Sequence, residues 1–175
     1  MQLLEDFNLL ITCSRGQEED ARIETLAVLK QIGDPNPIVE KTNVRGLLTA
    51  KTSIDPVEAI NKLRDLLKER PVAFLYIKRA IPIQKIVRTD LGEIARVASE
   101  LGEKIGEEET FRITVEKRHT DLKTMEIIEA AASKIDRKVN LDNPDKIILI
   151  EVIGPLTGIS LLRQGDVLST EKELR

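Results

Sequence analysis

The apolar positions of this chain change rhythm several times, and each change marks an element. Phe7 to Cys13, FNLLITC, is an apolar run of the length of a buried strand. From Gln17 to Ile32 the apolar residues Ala21, Ile23, Leu26, Ala27 and Leu29 recur with helical spacing. GDPNP is turn chemistry, and PIVEKTNVRGLLTAKT then reads as two short strands joined near Asn43–Gly46. DPVEAINKLRDLLKER predicts a second helix, with Asp55 as its cap, Pro56 in its first turn, and Leu63, Leu66 and Leu67 on one face. PVAFLYIKRA predicts a closing strand. The order is βαββαβ with short connections, the ferredoxin-like pattern.

A second block follows. Ile77 to Thr89, IKRAIPIQKIVRT, contains Pro82 and reads as an extended connector. DLGEIARVASELGEKIG predicts a helix capped by Asp90, and TFRITVEK a strand with Phe111, Ile113 and Val115 on one side. TMEIIEAAASKI predicts a helix with Thr124 as cap and Glu126 in its first turn. KVNLDNPDKIILIEVIG carries a strand stub, an Asn-Pro-Asp turn and a buried strand from Ile147 to Ile153. PLTGISLL supplies a last strand, and the tail STEKELR is expected to fray. The expected fold class is therefore mixed α/β (α+β). Residues 1–80 form an N-terminal ferredoxin-like domain and 81–172 a second α/β domain.

Composition narrows the function classes. The chain has 175 residues, 41% of them hydrophobic, enough for one compact domain or two small ones. With one cysteine, neither an internal disulfide nor a cysteine-based zinc cluster is available. No apolar run approaches the roughly 20 residues of a bilayer span. The start, MQLLEDFNLLITCS, has acids where a secretory signal needs basic residues. A cytoplasmic protein with no membrane partner is the expectation. The net charge of −3 argues against indiscriminate nucleic-acid binding, but screening over about 8–10 Å leaves room for a local basic patch. Phe7, Phe74, Tyr76 and Phe111 are the whole aromatic set. Stacking platforms for single strands are thus lacking, and nucleic acid would have to be held through phosphates, backbone amides and shape.

The catalytic inventory is thin. The sequence has no Gly-rich phosphate loop, no GxSxG, no HExxH and no CxxC. His119 is the only histidine, and Cys13, in the middle of an apolar strand, reads as a small buried hydrophobe. Glu107–Glu109 reads as a solvated loop. The expectation is a non-catalytic protein without cofactor or metal.

Two basic segments remain. TVEKRHTDLKTMEI concentrates Lys117, Arg118, His119 and Lys123 where a strand gives way to a helix, and Glu116 and Asp121 only partly offset them. A helix N-terminus offers free amides and partial positive charge, so this junction is a candidate phosphate site; the competing reading is a solvated loop. The second segment holds Lys78, Arg79, Lys85 and Arg88 without an acid from Ile77 to Arg88. It is a candidate to bind the same ligand, against the reading of a linker whose side chains lie over apolar surface. Arg112 is expected to be exposed along its strand. Replacing Arg79, Arg112 or Arg118 by alanine is expected to leave stability almost unchanged.

FRITVEKRHTDLKTMEIIEAAASKI followed by KVNLDNPDKIILIEVIGPLTGIS resembles the THUMP domain of tRNA-modifying enzymes. The likeness rests on the Phe-x-Ile strand, Lys117–Arg118, Thr124 and Glu126, Val139 and Leu141, Asn143–Pro144–Asp145, Glu151, and Gly158–Ile159–Ser160. His119 and Thr120 depart from it, since many THUMP sequences have Arg and Gly there. The resemblance implies tRNA binding, with the ferredoxin-like block helping to hold the acceptor end and the chemistry residing in a further domain. No such domain lies before Arg175, so the chain is similar to the stand-alone THUMP adaptor of an RNA cytidine acetyltransferase. That separate enzyme would use acetyl-CoA and ATP and form N4-acetylcytidine. The alternatives are a tRNA-binding subunit of another system, such as a thiouridine synthetase, and an interaction protein on a ferredoxin-like scaffold that binds no nucleic acid.

Overall fold

The computed structural model describes residues 6–174; the first part of the acidic start, residues 1–5, and the last residue of the tail lie outside it. Two compact units are present. One runs to Ile83 and takes back the chain from Gly165 onward, and the other is Gln84–Gln164.

In the first unit β1 (Leu9–Thr12), β2 (Ile38–Lys41), β3 (Leu47–Lys51) and β4 (Arg79–Pro82) alternate with α1 (Glu18–Gln31) and α2 (Pro56–Glu69). The antiparallel order β4-β1-β3-β2 is that of a split βαβ pair, the βαββαβ arrangement the sequence predicts. Leu9 and Ile11 turn to the helices and meet Val28, Leu29, Ile60 and Leu63 in one cluster. The Asp55 carboxylate accepts from the Glu58 amide at 3.1 Å, which fixes the start of α2 as expected.

The helix-to-strand return differs from expectation. Pro71–Ala73 is a single 3-10 turn, and strand geometry begins only at Arg79. The Glu24 carboxylate explains the delay. It accepts from the amides of Leu75, Tyr76 and Ile77 at 2.6–2.9 Å, so those groups are satisfied without a ladder.

In the second unit β5 (Lys85–Arg88), β6 (Thr110–Arg118), β7 (Lys138–Val139), β8 (Lys146–Ile153) and β9 (Leu156–Leu162) form a sheet of order β5-β9-β8-β6-β7. Strands β6, β7 and β8 run parallel, and β9 returns antiparallel between β8 and β5. The helices α3 (Leu91–Gly102) and α4 (Thr124–Ala132) supply Ile94, Val97, Leu101 and Ile127 to a core with Phe111, Ile148, Ile150 and Ile159. The period-2 pattern of β6 is what sends Phe111, Ile113 and Val115 to that side. The Asn-Pro-Asp turn sets the register of the parallel pair. The Asp145 carboxylate accepts from the Thr110 amide at 2.8 Å, while the Asp145 amide donates to the Thr110 carbonyl at 3.1 Å.

Three further expectations are corrected. The connector Ile77–Thr89 is two strands, β4 and β5, one in each sheet. The tail does not fray: β10 (Leu168–Ser169) pairs with β4, and α5 (Thr170–Glu173) follows. Leu168 is fully buried, the Thr170 hydroxyl donates to the Ile77 carbonyl at 3.0 Å, and Arg64 Nε meets Glu173 at 2.8 Å. Glu109 is not merely solvated either. It holds Lys146 Nζ at 2.6 Å and accepts from the Gly106 amide at 2.7 Å, and these bonds, Lys146 first, draw its carboxyl below the usual range.

Candidate nucleic-acid interface

The carboxyl ends of the parallel strands of the second unit gather at one sheet edge. Arg118 at the end of β6 stands opposite Ile153 at the end of β8. The two-residue turn Gly154–Pro155 joins β8 to β9, and Leu156 stands opposite Arg88 at the end of β5. The Thr89 amide donates to the Pro155 carbonyl at 2.9 Å and the Gly154 amide to the Arg118 carbonyl at 2.8 Å, tying the three strand ends together. Both helices begin here. α3 follows β5 with the Asp90 carboxylate accepting from the Glu93 amide at 3.0 Å, and α4 follows β6. Ligands of parallel sheets commonly sit outside such carboxyl ends, where helix amides point outward.

The basic residues at this edge have different duties. Strand alternation directs Lys117 to the helix side, where its Nζ donates to the Leu122 carbonyl at 2.9 Å across the entrance of α4. Arg118 goes to the other face, and its Nη1 donates to Glu151 Oε1 at 2.7 Å. Glu151 is 0% exposed and the Arg118 side chain 18%, so the pair holds a buried charge within the sheet. This pairing runs against the expectation that replacing Arg118 by alanine leaves stability almost unchanged. His119 is exposed and leaves the strand at φ 56°, the left-handed region, which turns the chain toward α4. Lys123 occupies the N-cap position expected for Thr124, which is instead the first helical residue; the Glu126 carboxylate accepts from the Lys123 amide at 3.3 Å. The side chains of Lys117, His119, Lys123 and Arg88 are exposed.

The remaining candidates do not end a strand at this edge. Lys85 starts β5 opposite Ile159, three residues or about 10 Å along the strand from Arg88. Lys78 and Arg79 belong to the first unit, where the Lys78 amide donates to the Thr12 carbonyl at 2.8 Å and Arg79 pairs with Thr12 and Ser169. Arg112 is half-buried, in contrast to the expected exposure, because its Nη1 reaches the Leu141 carbonyl at 2.8 Å. Sequence reasoning missed the role of Glu151. The signal was a single acid inside the apolar run IILIEVIG, since a buried carboxylate calls for a cationic partner.

Cys13 is buried, and burial first, then Glu18, pushes its thiol pKa up, as suits an inert core residue. Among the described residues no group of three His, Cys, Asp or Glu is placed to hold a metal ion. No helix among them is long and apolar enough to cross a membrane.

Residues 88–162, which carry every strand end of this edge, match the family model of the THUMP domain. In a curated protein of Methanocaldococcus jannaschii, described only as uncharacterized, 139 residues align at 27% identity, 76% of this chain and 36% of that one. Among solved structures, PH1313 from Pyrococcus horikoshii superposes with a TM-score of 0.68 at 20% identity, over 90% of this chain and 55% of that one. A 4-thiouridine synthetase crystallised with RNA and ATP gives 0.56 at 16% identity, over 94% and 42%. The chain thus spans about a third to a half of the length of these relatives, and at such identities the structures establish the fold alone.

Proposed function

We propose that this protein is a tRNA-binding adaptor that presents tRNA to a separate modification enzyme. One observation carries the reading: in the unit that contains the THUMP match, exposed Lys117, His119 and Lys123 lie where β6 gives way to α4, and exposed Arg88 ends β5 at the same end of the sheet, three strands away. Exposed lysines beside helix amides, with an arginine at the same end of the sheet, suit phosphate oxygens. The net charge of −3 over the whole chain makes this local concentration a directed one.

The enzyme we assign as partner is an RNA cytidine acetyltransferase, using acetyl-CoA and ATP to form N4-acetylcytidine, by the likeness to the stand-alone THUMP adaptor. The likeness in fold to a 4-thiouridine synthetase solved with RNA favours a second reading, a tRNA-binding subunit of a sulfur-transfer system. The test is reconstitution. The purified protein incubated with tRNA, acetyl-CoA and ATP should leave the nucleosides unchanged. Addition of the acetyltransferase should produce acetylated cytidine, and Lys117→Ala with Lys123→Ala should reduce the yield. Acetylation without the enzyme would refute the adaptor. Co-purification with a sulfur-transfer subunit, and thiolated uridine as the product, would install the second reading.

A further inference from the structure

The first unit carries a cleft of about 610 Å³ between the β1–α1 loop and the β2–β3 hairpin, lined among others by Arg15, Lys41, Thr42, Asn43 and Arg45. Its walls are fixed. The Cys13 amide donates to the Gly46 carbonyl at 2.9 Å, and one Glu18 carboxylate accepts from the amides of Gly46 at 2.8 Å and Gly16 at 3.0 Å. Gly46 stands at φ 77°, and a Cβ there would lie 2.8 Å from the Cys13 carbonyl oxygen, so the two loops touch through backbone.

The charges of the cleft are unevenly committed. Glu18 is taken up by those glycine amides. Glu19 holds Arg22 at 2.6 Å and Lys41 at 2.8 Å, and these two cations, Arg22 first, keep its carboxyl down at about 2. Arg15 and Arg45 are exposed and, among the described residues, take part in no side-chain hydrogen bond or ion pair. The lining has no aromatic ring. Two uncommitted guanidinium forks on touching loops, in a cleft whose two acids already have their own partners, call for an anion with several oxygens and no need of stacking.

We propose that Arg15 and Arg45 grip the phosphodiester backbone of RNA in this cleft, a contact made by other residues than those at the sheet edge of the second unit. The proposal rests on the tRNA-binding reading and adds to it a named site on the first unit. Arginine forks fit phosphate oxygens in a bidentate manner, and the exposed side-chain amide of Asn43 suits ribose and phosphate groups.

The experiment titrates labelled tRNA with the full chain at several salt concentrations and compares three proteins: wild type, Arg15→Ala/Arg45→Ala, and Lys117→Ala/Lys123→Ala. The first double variant should weaken binding about tenfold or more and flatten the salt dependence by about two units, one per lost phosphate contact. Arg15→Lys/Arg45→Lys should restore most of the slope. Thermal unfolding of the variants should match wild type, because both side chains are exposed. If Arg15→Ala/Arg45→Ala binds tRNA as wild type does while Lys117→Ala/Lys123→Ala is weakened, the cleft proposal is wrong and the tRNA reading stands. If the wild type does not bind tRNA, both fall. If the arginine variant keeps tRNA but loses the response of the Gly16 and Gly46 amide resonances to inorganic phosphate, the cleft takes a free anion and the RNA claim is overturned.

Discussion

Arg118 sits where two demands meet. Its guanidinium is at the proposed phosphate edge, yet its Nη1 belongs to Glu151, which is wholly buried. Removing one member of a buried pair leaves an uncompensated charge, so Arg118→Ala should destabilise the protein by about 3–5 kcal/mol, read from urea unfolding. Replacing both members, as in Arg118→Met with Glu151→Leu, should recover most of that loss. A neutral Arg118→Ala would mean that the pair is worth no more than a surface contact. Asp34 makes a similar point without a cation. It is buried; burial opposes its charge, but the Thr52 and Ser53 hydroxyls and the Ser53 and Asn36 amides outweigh that and lower its pKa below 3.8. A carboxyl with a depressed folded pKa contributes stability above its unfolded pKa and loses it as pH falls through the folded one. Asp34→Ala should therefore cost about 1–3 kcal/mol at neutral pH, and the deficit should shrink over the acid range as pH falls through the lowered folded pKa. A deficit that stayed constant across that range would assign the effect to packing instead.

At the scale of elements, β10 and α5 are the least expected part of the first unit. Leu168 is fully buried in the core with Ala80 and Leu63, and β10 extends the sheet next to β4. Leu168→Ala should cost about 2–5 kcal/mol, as for any buried leucine, whereas a frayed tail would show no change in the unfolding midpoint. This segment was illegible because its signal is short: one apolar residue pair, Val167 and Leu168, followed by STEKELR. Two residues of ladder gain their stability from a distant partner strand, which local pattern does not record. The longer elements were legible for the opposite reason. α2 and α3 announce their starts with Asp55 and Asp90, and both carboxylates accept the amide three residues on. β6 and β8 alternate or run apolar for eight or nine residues. At the candidate site, Lys117, Arg118, His119 and Lys123 could be read as one cluster because they are close in sequence. Arg88 joins them only through the register β5-β9-β8-β6, which a pattern of single strands does not contain. The commitment of Arg118 to Glu151 spans 33 residues and was hidden in the same way.

For the molecule as a whole, charge is the property that decides binding. The chain carries 27 basic and 30 acidic residues, so its far field repels a polyanion slightly, and any attraction must come from groups that meet phosphates directly. Such binding releases counterions and falls steeply with salt. With about four to six phosphates neutralised, tRNA affinity should drop on the order of a hundredfold or more between low and physiological salt. The geometry of β5 supplies an internal comparison. Arg88 and Lys85 are both exposed and of like charge, but Arg88 ends the strand at the edge shared with Lys117 and His119, while Lys85 begins it about 10 Å away. If phosphates are held at the carboxyl edge, Arg88→Ala should weaken tRNA binding several-fold and lower the salt slope by about one unit. Lys85→Ala should do less of both, since its charge lies a full screening length from the contact. Equal effects from the two variants would point to diffuse attraction over the unit. A larger effect from Lys85→Ala would move the RNA path to the opposite end of the sheet, where Lys146 pairs with Glu109.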